Sequence, residues 1–204
     1  MERGFLLVLS GPSGVGKGRV CDALRQTDAD ILYSISATTR PIRGGEVDGQ
    51  NYFFLSEEQF LERIEEDAFL EHAHVHGNRY GTPKDFVLRN IDSGKIVILE
   101  IDVQGALQVK RNFPNGVFVF LLPPSMKELK RRITDRGTES EQQISLRMNN
   151  AREEMGFIEE YDYAVINDDL DRAVESVLSI IAAERLRVID GRALIDYLEE
   201  EVHD

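Results

Sequence analysis

Apolar and polar residues fall in blocks along this chain. Near-continuous apolar runs occupy positions 5–9, 96–101, 117–122 and 163–166, with a weaker one at 32–35. Runs of this length suit strands buried on both faces of a parallel sheet. Between them the apolar spacing shifts to three and four. Val20, Cys21 and Leu24 make one helical face, and within 170–183 Val174, Val177, Leu178 and Ile181 make another. Ser56 with Gln59, Ser125 with Glu128 and Ser140 with Gln143 fit the capping-box spacing that satisfies orphaned N–H groups at a helix start. Strand-like runs alternating with helical patterns predict repeated βαβ units and an α/β fold with a mostly parallel sheet.

Two regions break the rhythm. Residues 36–82 are polar, with turn signals at Arg43-Gly44-Gly45 and Asp48-Gly49, then a capped helix, then an alternating pattern over 72–78. They predict an insert with its own small sheet and helix. Residues 135–143 lack apolar anchors and lie between arginine-bearing helices, the form expected of a mobile lid. The organisation expected is therefore a core over 1–35, 83–134 and 160–204, an insert over 36–82 and a lid over 135–159. The acidic stretch 199–201 reads as a solvated helix end.

Composition narrows the classes. At 204 residues the chain can bury a sizeable core. Its net charge of -13 argues against coating a nucleic acid, whose backbone selects basic surfaces. Local clusters of Arg40, Arg43, Arg131, Arg132, Arg136 and Arg147 still suit a small phosphorylated ligand. The single Cys21 excludes an internal disulfide and fits a core position in a reducing compartment. No apolar stretch reaches the about 18 residues that span a bilayer, and no signal peptide precedes the first strand, so a cytoplasmic location is expected.

The first apolar run ends in Gly11-Pro12-Ser13-Gly14-Val15-Gly16-Lys17, the loop G-x-x-x-x-G-K. A strand, this loop and a helix aim backbone N–H groups and the positive end of a helix dipole at one phosphate. Lys17 adds a charge for the outer phosphates of a nucleoside triphosphate. The Ser or Thr that usually follows the lysine, and whose hydroxyl helps hold Mg²⁺, is replaced by Gly18 and then Arg19. The reading favoured is that Arg19 points outward while Mg²⁺ is held by waters, substrate phosphates and a carboxylate; the competing one is a weakened metal and a slower enzyme.

In the insert, Arg40 and Arg43 flank a stiffening proline and can present two guanidinium forks to one phosphate, with Ser36 adding a hydroxyl. Glu71 can accept from the N1–H and 2-amino group of guanine, which adenine does not offer. Thr82 can contact the base carbonyl, and Tyr52 and Tyr80 can reach a phosphate oxygen. Asp102 is open to two readings, a helix cap after a strand or a carboxylate ordering Mg²⁺ through water. His72, His74 and His76 share a face if extended, but an insert strand explains them better than a metal site.

In order along nearly the whole chain stand G-P-S-G-x-G-K, S-x-T-T-R-x-x-R-x-G-E, F-L-E-x-A, G-N-x-Y-G-T, Leu99-Glu100-Ile101-Asp102-Val103-Gln104-Gly105, Pro123-Pro124-Ser125 and Arg136-Gly137-Thr138-Glu139. This set resembles the guanylate kinases, which phosphorylate GMP with ATP. The resemblance implies a P-loop nucleoside-triphosphate-binding core, a GMP-binding insert and a helical lid. It implies Gly11, Pro12, Ser13, Gly14, Val15, Gly16, Lys17, Gly18 and Asn167 for ATP, the last near the adenine. Ser36, Arg40, Arg43, Tyr52, Glu71, Tyr80, Thr82 and Asp102 would hold GMP. Lys17, Arg43, Arg136 and Arg147 would act on the transferring phosphoryl group, Mg²⁺ would arrive with ATP and without a direct protein ligand, and the chain would be a monomer or homodimer. Family members with Gly after the lysine generally carry Thr next, so Arg19 is the departure. The alternatives are a kinase for another phosphorylated acceptor such as ribose 1,5-bisphosphate, a non-catalytic guanylate-kinase-like binding module, and a P-loop regulator without turnover. Lys17 argues against the module, and Glu71 with Thr82 favours GMP.

Overall fold

The computed structural model describes residues 4–75, 77–135 and 140–188. In chain order the elements are β1 (Phe5–Ser10), α1 (Lys17–Thr27), β2 (Ile31–Tyr33), β3 (Ala37–Thr38), β4 (Phe53–Phe54), α2 (Glu57–Glu65), β5 (Phe69–Val75), β6 (Asn78–Pro83), α3 (Lys84–Asp92), β7 (Ile96–Glu100), α4 (Val103–Asn112), β8 (Val117–Leu122), α5 (Met126–Thr134), α6 (Glu141–Met155), β9 (Tyr163–Ile166) and α7 (Leu170–Arg185).

The apolar runs become a five-stranded sheet ordered β2-β7-β1-β8-β9, parallel throughout. Because side chains alternate across a strand, Leu7 and Leu9 join Ile98, Val119 and Leu121 beneath α1 and α7, whereas Leu6 and Val8 join Val97, Leu99 and Phe118 beneath α3 and α4. Each such fully buried side chain contributes about 2 kcal/mol by its removal from water. Cys21 sits in the first of these layers, buried as expected, and burial pushes its thiol pKa up. The weak run at 32–35 is displaced. Its strand is Ile31–Tyr33, and one more ladder bond, Ser34 N–H to the Ile98 carbonyl at 2.8 Å, precedes the departure into the insert.

The insert has the small sheet and helix expected of it. Strands β4-β3-β6-β5 pair in that order, and α2 packs on them through Phe60, whose ring stacks on Phe69 at 4.5 Å. The alternating pattern over 72–78 is not one strand: Val75 pairs with Asn78, so the chain reverses there into an antiparallel hairpin. Ser56 and Ser140 make full capping boxes with Gln59 and Gln143. Ser125 makes half of one. It accepts from the Glu128 N–H at 3.1 Å, but the Glu128 carboxylate is taken by Arg131 and Arg132 instead.

Helices α5 and α6 share a small apolar contact of Leu129, Ile133, Met148 and Ala151. Within the main sheet β1 lies between β7 and β8, and the chain fills one side of β1 before crossing to the other. Ligands of open α/β sheets bind at such a reversal, beyond the carboxyl ends of the strands.

Candidate active site

At the carboxyl end of β1 the backbone curls over its neighbour so closely that a Cβ on Gly11 would meet the Leu121 carbonyl oxygen at 2.3 Å. Gly11 has φ 140°, and Gly16, at φ 103°, caps α1 in the left-handed region, where a Cβ would strike the Asn167 amide at 2.6 Å. The loop is held from outside as well. The Val15 carbonyl accepts from Asn167 Nδ2 at 2.8 Å and from Arg132 Nη1 at 3.1 Å, and Arg132 Nη2 donates to the Asn167 carbonyl at 3.0 Å. Arg147 on α6 donates from Nη2 to Ser13 Oγ at 2.7 Å.

The loop floors a cleft of about 1140 Å³ lined also by Arg19, Glu100, Asp102, Glu154 and Asn167. Lys17 folds back over the loop, donating from Nζ to the Gly11 carbonyl at 2.6 Å and the Pro12 carbonyl at 3.3 Å. Burial lowers its pKa, against the opposing pull of Glu100, Glu154 and Asp102. Glu100 is there because β7 pairs with β1 in the register Leu9 with Glu100. Burial raises its pKa, with Lys17 opposing, and both its oxygens lie 3.6 Å from where a Cβ on Gly18 would stand. Glu100 thus flanks the place where a residue-18 hydroxyl would be. Arg19 is exposed at the rim of the cleft, and its side chain makes no hydrogen bond or ion pair among the described residues.

Across Asp102 lies a second cluster. Glu71 on β5 and Thr82 on β6 are both buried, and Thr82 Oγ1 donates to Glu71 Oε1 at 2.7 Å. Burial pushes the Glu71 carboxyl pKa up, the Thr82 bonds oppose this, and the charge of Asp102 adds to it. Asp102 is an N-cap, accepting from the Gly105 N–H at 2.8 Å, so its helix-cap reading holds. It also lines the phosphate-loop cleft, the one residue of the expected acceptor set to do so among the described residues.

A third group surrounds Arg40. Its guanidinium lies 5.3 Å from the centre of the Tyr52 ring, which meets Tyr80 edge-on at 6.2 Å. Its two terminal nitrogens are held by Glu46 at 3.0 and 2.7 Å. The fork of Arg40 therefore rests on a carboxylate, while Arg43 is exposed and binds Glu46 through its backbone N–H at 2.7 Å. Ser36 stands at the head of β3, its carbonyl accepting from Phe53 N–H at 2.9 Å.

The structure gathers the loop, Asp102 and Asn167 at one cleft, and Glu71 with Thr82 beyond it. Asn167 spends its side-chain amide on the loop itself. Arg136, His76 and the acidic stretch 199–201 lie outside the described residues, and no metal-ligating cluster occurs among the described ones. Sequence reasoning missed Glu100 and Glu154 as parts of the cleft, and named Arg132 only within a basic cluster, not as a support of the loop. The carboxylate at the end of an apolar strand was the available signal for Glu100; the other two depend on how α5 and α6 pack.

The chain is similar to known proteins over nearly its whole length. A family model described as guanylate kinase matches residues 3–184. A guanylate kinase of Caldanaerobacter subterraneus subsp. tengcongensis is 57% identical over 200 residues, covering 98% of this chain and 97% of its own. One from Clostridium perfringens is 52% identical over 204 residues, covering 100% and 94%. The crystal structure of guanylate kinase from Anaplasma phagocytophilum superposes with a TM-score of 0.75 at 33% identity, over 98% of this chain and 96% of that one. Agreement in sequence and in fold over this much of the molecule has one meaning: the chain belongs to the guanylate kinase family.

Proposed function

We propose that this chain transfers the γ-phosphoryl group of ATP to GMP or dGMP, giving ADP and the nucleoside diphosphate, in a compartment of cytoplasmic type. The observation that carries the reading is the Glu71–Thr82 pair, a buried carboxylate fixed by a hydroxyl and separated from the phosphate loop by Asp102. A carboxylate so placed accepts two N–H groups of guanine, and the raised pKa that burial gives Glu71 is countered once those donors arrive.

ATP phosphates would rest on the loop N–H groups and Lys17, which exchanges its hold on the Gly11 and Pro12 carbonyls for phosphate oxygens. The GMP phosphate would take Arg40, Arg43, Tyr52, Tyr80 and Ser36, displacing Glu46 from Arg40. A GMP phosphate oxygen attacks the γ phosphorus, the bond to the bridging oxygen breaks, and that oxygen leaves as part of ADP. The nucleophile is already anionic near neutral pH, so the residues supply alignment and charge stabilisation rather than a base. Helix α6, within the 135–159 segment expected as the lid, would close over the cleft, with Arg147 reaching the loop.

Mg²⁺ fits the donor set: two carboxylates, Glu100 and Asp102, line the cleft where the loop lacks a hydroxyl, and Mg²⁺ takes few protein ligands. When bound it would neutralise charge on the triphosphate. A coupled ADP-release assay with GMP, dGMP, AMP, UMP and CMP tests the reading. Release with the two guanine nucleotides alone is expected; release with AMP but not GMP overturns the base assignment.

A further inference from the structure

Glu154 projects from the last turn of α6 into the cleft that the phosphate loop floors. Its Oε2 is buried and has no hydrogen-bond partner. Burial raises the pKa of this carboxyl, and Lys17 and the Ser13 backbone N–H, both near enough to pull on it, oppose the rise. Two helical turns earlier, Arg147 holds the Ser13 hydroxyl at 2.7 Å, so α6 is tied directly to this part of the loop. A carboxylate desolvated with an oxygen left bare is unfavourable, and nothing in the packing of α5 on α6 requires it, since that contact is made by Leu129, Ile133, Met148 and Ala151.

A carboxylate oxygen and a phosphate oxygen are the same kind of acceptor for a backbone N–H and a lysine. We propose that Glu154 is a positioning residue that occupies the phosphate cradle as the chain's own anion and yields the Ser13 N–H and Lys17 to the incoming nucleotide phosphate. This rests on the reading that the loop takes nucleotide phosphates. While the cradle is empty of nucleotide, Glu154 keeps Ser13 and Lys17 in place. Once a polyphosphate enters, two anions share one set of donors, so the carboxylate must withdraw. Its repulsion weakens nucleotide binding, which favours release of ADP after transfer.

The test is calorimetric titration of the full chain and of Glu154→Gln and Glu154→Asp with ADP, and with GMP as the control. Glu154→Gln removes the charge at nearly constant shape and should bind ADP about tenfold more tightly, with GMP affinity unchanged. Glu154→Asp keeps the charge but draws it back by one methylene, and should fall between the two. Unchanged or weaker ADP binding by Glu154→Gln overturns the proposal, because a purely structural residue would weaken both ligands together. If that variant does not fold, Glu154→Asp decides by the same criterion. Failure of the unaltered chain to bind ADP is a separate outcome, which removes the loop reading itself.

Discussion

On the proposed function, the phosphate loop and the Glu71–Thr82 pair would recognise their ligands by opposite means. The loop is backbone: its N–H groups are placed by glycines at positive φ and by side chains that hold its carbonyls from behind. The proposed acceptor site is side chain: one carboxylate and one hydroxyl facing each other across two strands. Backbone donors recognise any phosphate and survive every side-chain substitution except one to proline. Side-chain acceptors recognise one base and vanish with one substitution. The division suits an enzyme that must hold a generic triphosphate firmly and choose its acceptor narrowly.

That division can be broken at three places, the largest effect first. Lys17→Ala removes the loop's one mobile charge and should lower kcat about a thousandfold, with the KM for GMP changing less than threefold. Steady-state kinetics in both substrates reads this, and a near-normal kcat would remove Lys17 from the reaction.

At Glu71 the effect should fall on the acceptor. Glu71→Gln replaces an acceptor of two N–H groups by an amide, so KM for GMP should rise about a hundredfold while kcat at saturation changes little. The same variant should melt at a higher temperature near neutral pH. The folded-state pKa of Glu71 is raised, so its contribution to stability is greatest at acid pH and is lost as pH rises through that pKa. The gain from Gln therefore shrinks as pH falls to where Glu71 is protonated in both states. Melting curves across pH 4 to 8 would expose a wrong sign.

The smallest effect is expected at the loop's anomaly. With Glu100 beside Gly18 and Arg19 at the exposed rim, Arg19→Thr should change the rate less than tenfold at saturating Mg²⁺. A hundredfold gain would mean that the missing hydroxyl limits this enzyme.

How far the sequence could be read follows from how local each feature is. The strand Val117–Leu122 was legible to the residue because two-sided burial demands an apolar run, and Tyr163–Ile166 was legible from the same apolar, β-branched composition although it is an edge strand with Ala164 and Ile166 exposed. The strands Ala37–Thr38 and Phe53–Phe54 were not, since two residues carry no periodicity and their pairing with β6 and with each other is made by distant chain. The loop was legible as a motif because its conformation is local. Glu71 and Thr82 could be named from the base chemistry and the family resemblance, but their direct bond depends on the hairpin. Glu100 reaches the cleft through strand register, and Arg132 and Glu154 through the packing of α5 and α6. Such long-range contacts leave no mark on the residues nearby.

The two hydrogen bonds on the Val15 carbonyl have one more consequence. A peptide unit is planar and trans, so its C=O and the following N–H point in opposite directions. Asn167 and Arg132 together saturate both lone pairs of that oxygen, which fixes the plane of the Val15–Gly16 peptide and turns the Gly16 N–H away from them. A peptide flip, the usual way in which a glycine loop could spoil its own donor array, would break two bonds at once. The reorganisation that an anion would otherwise impose on this peptide is thus completed during folding, by residues that need never touch the ligand.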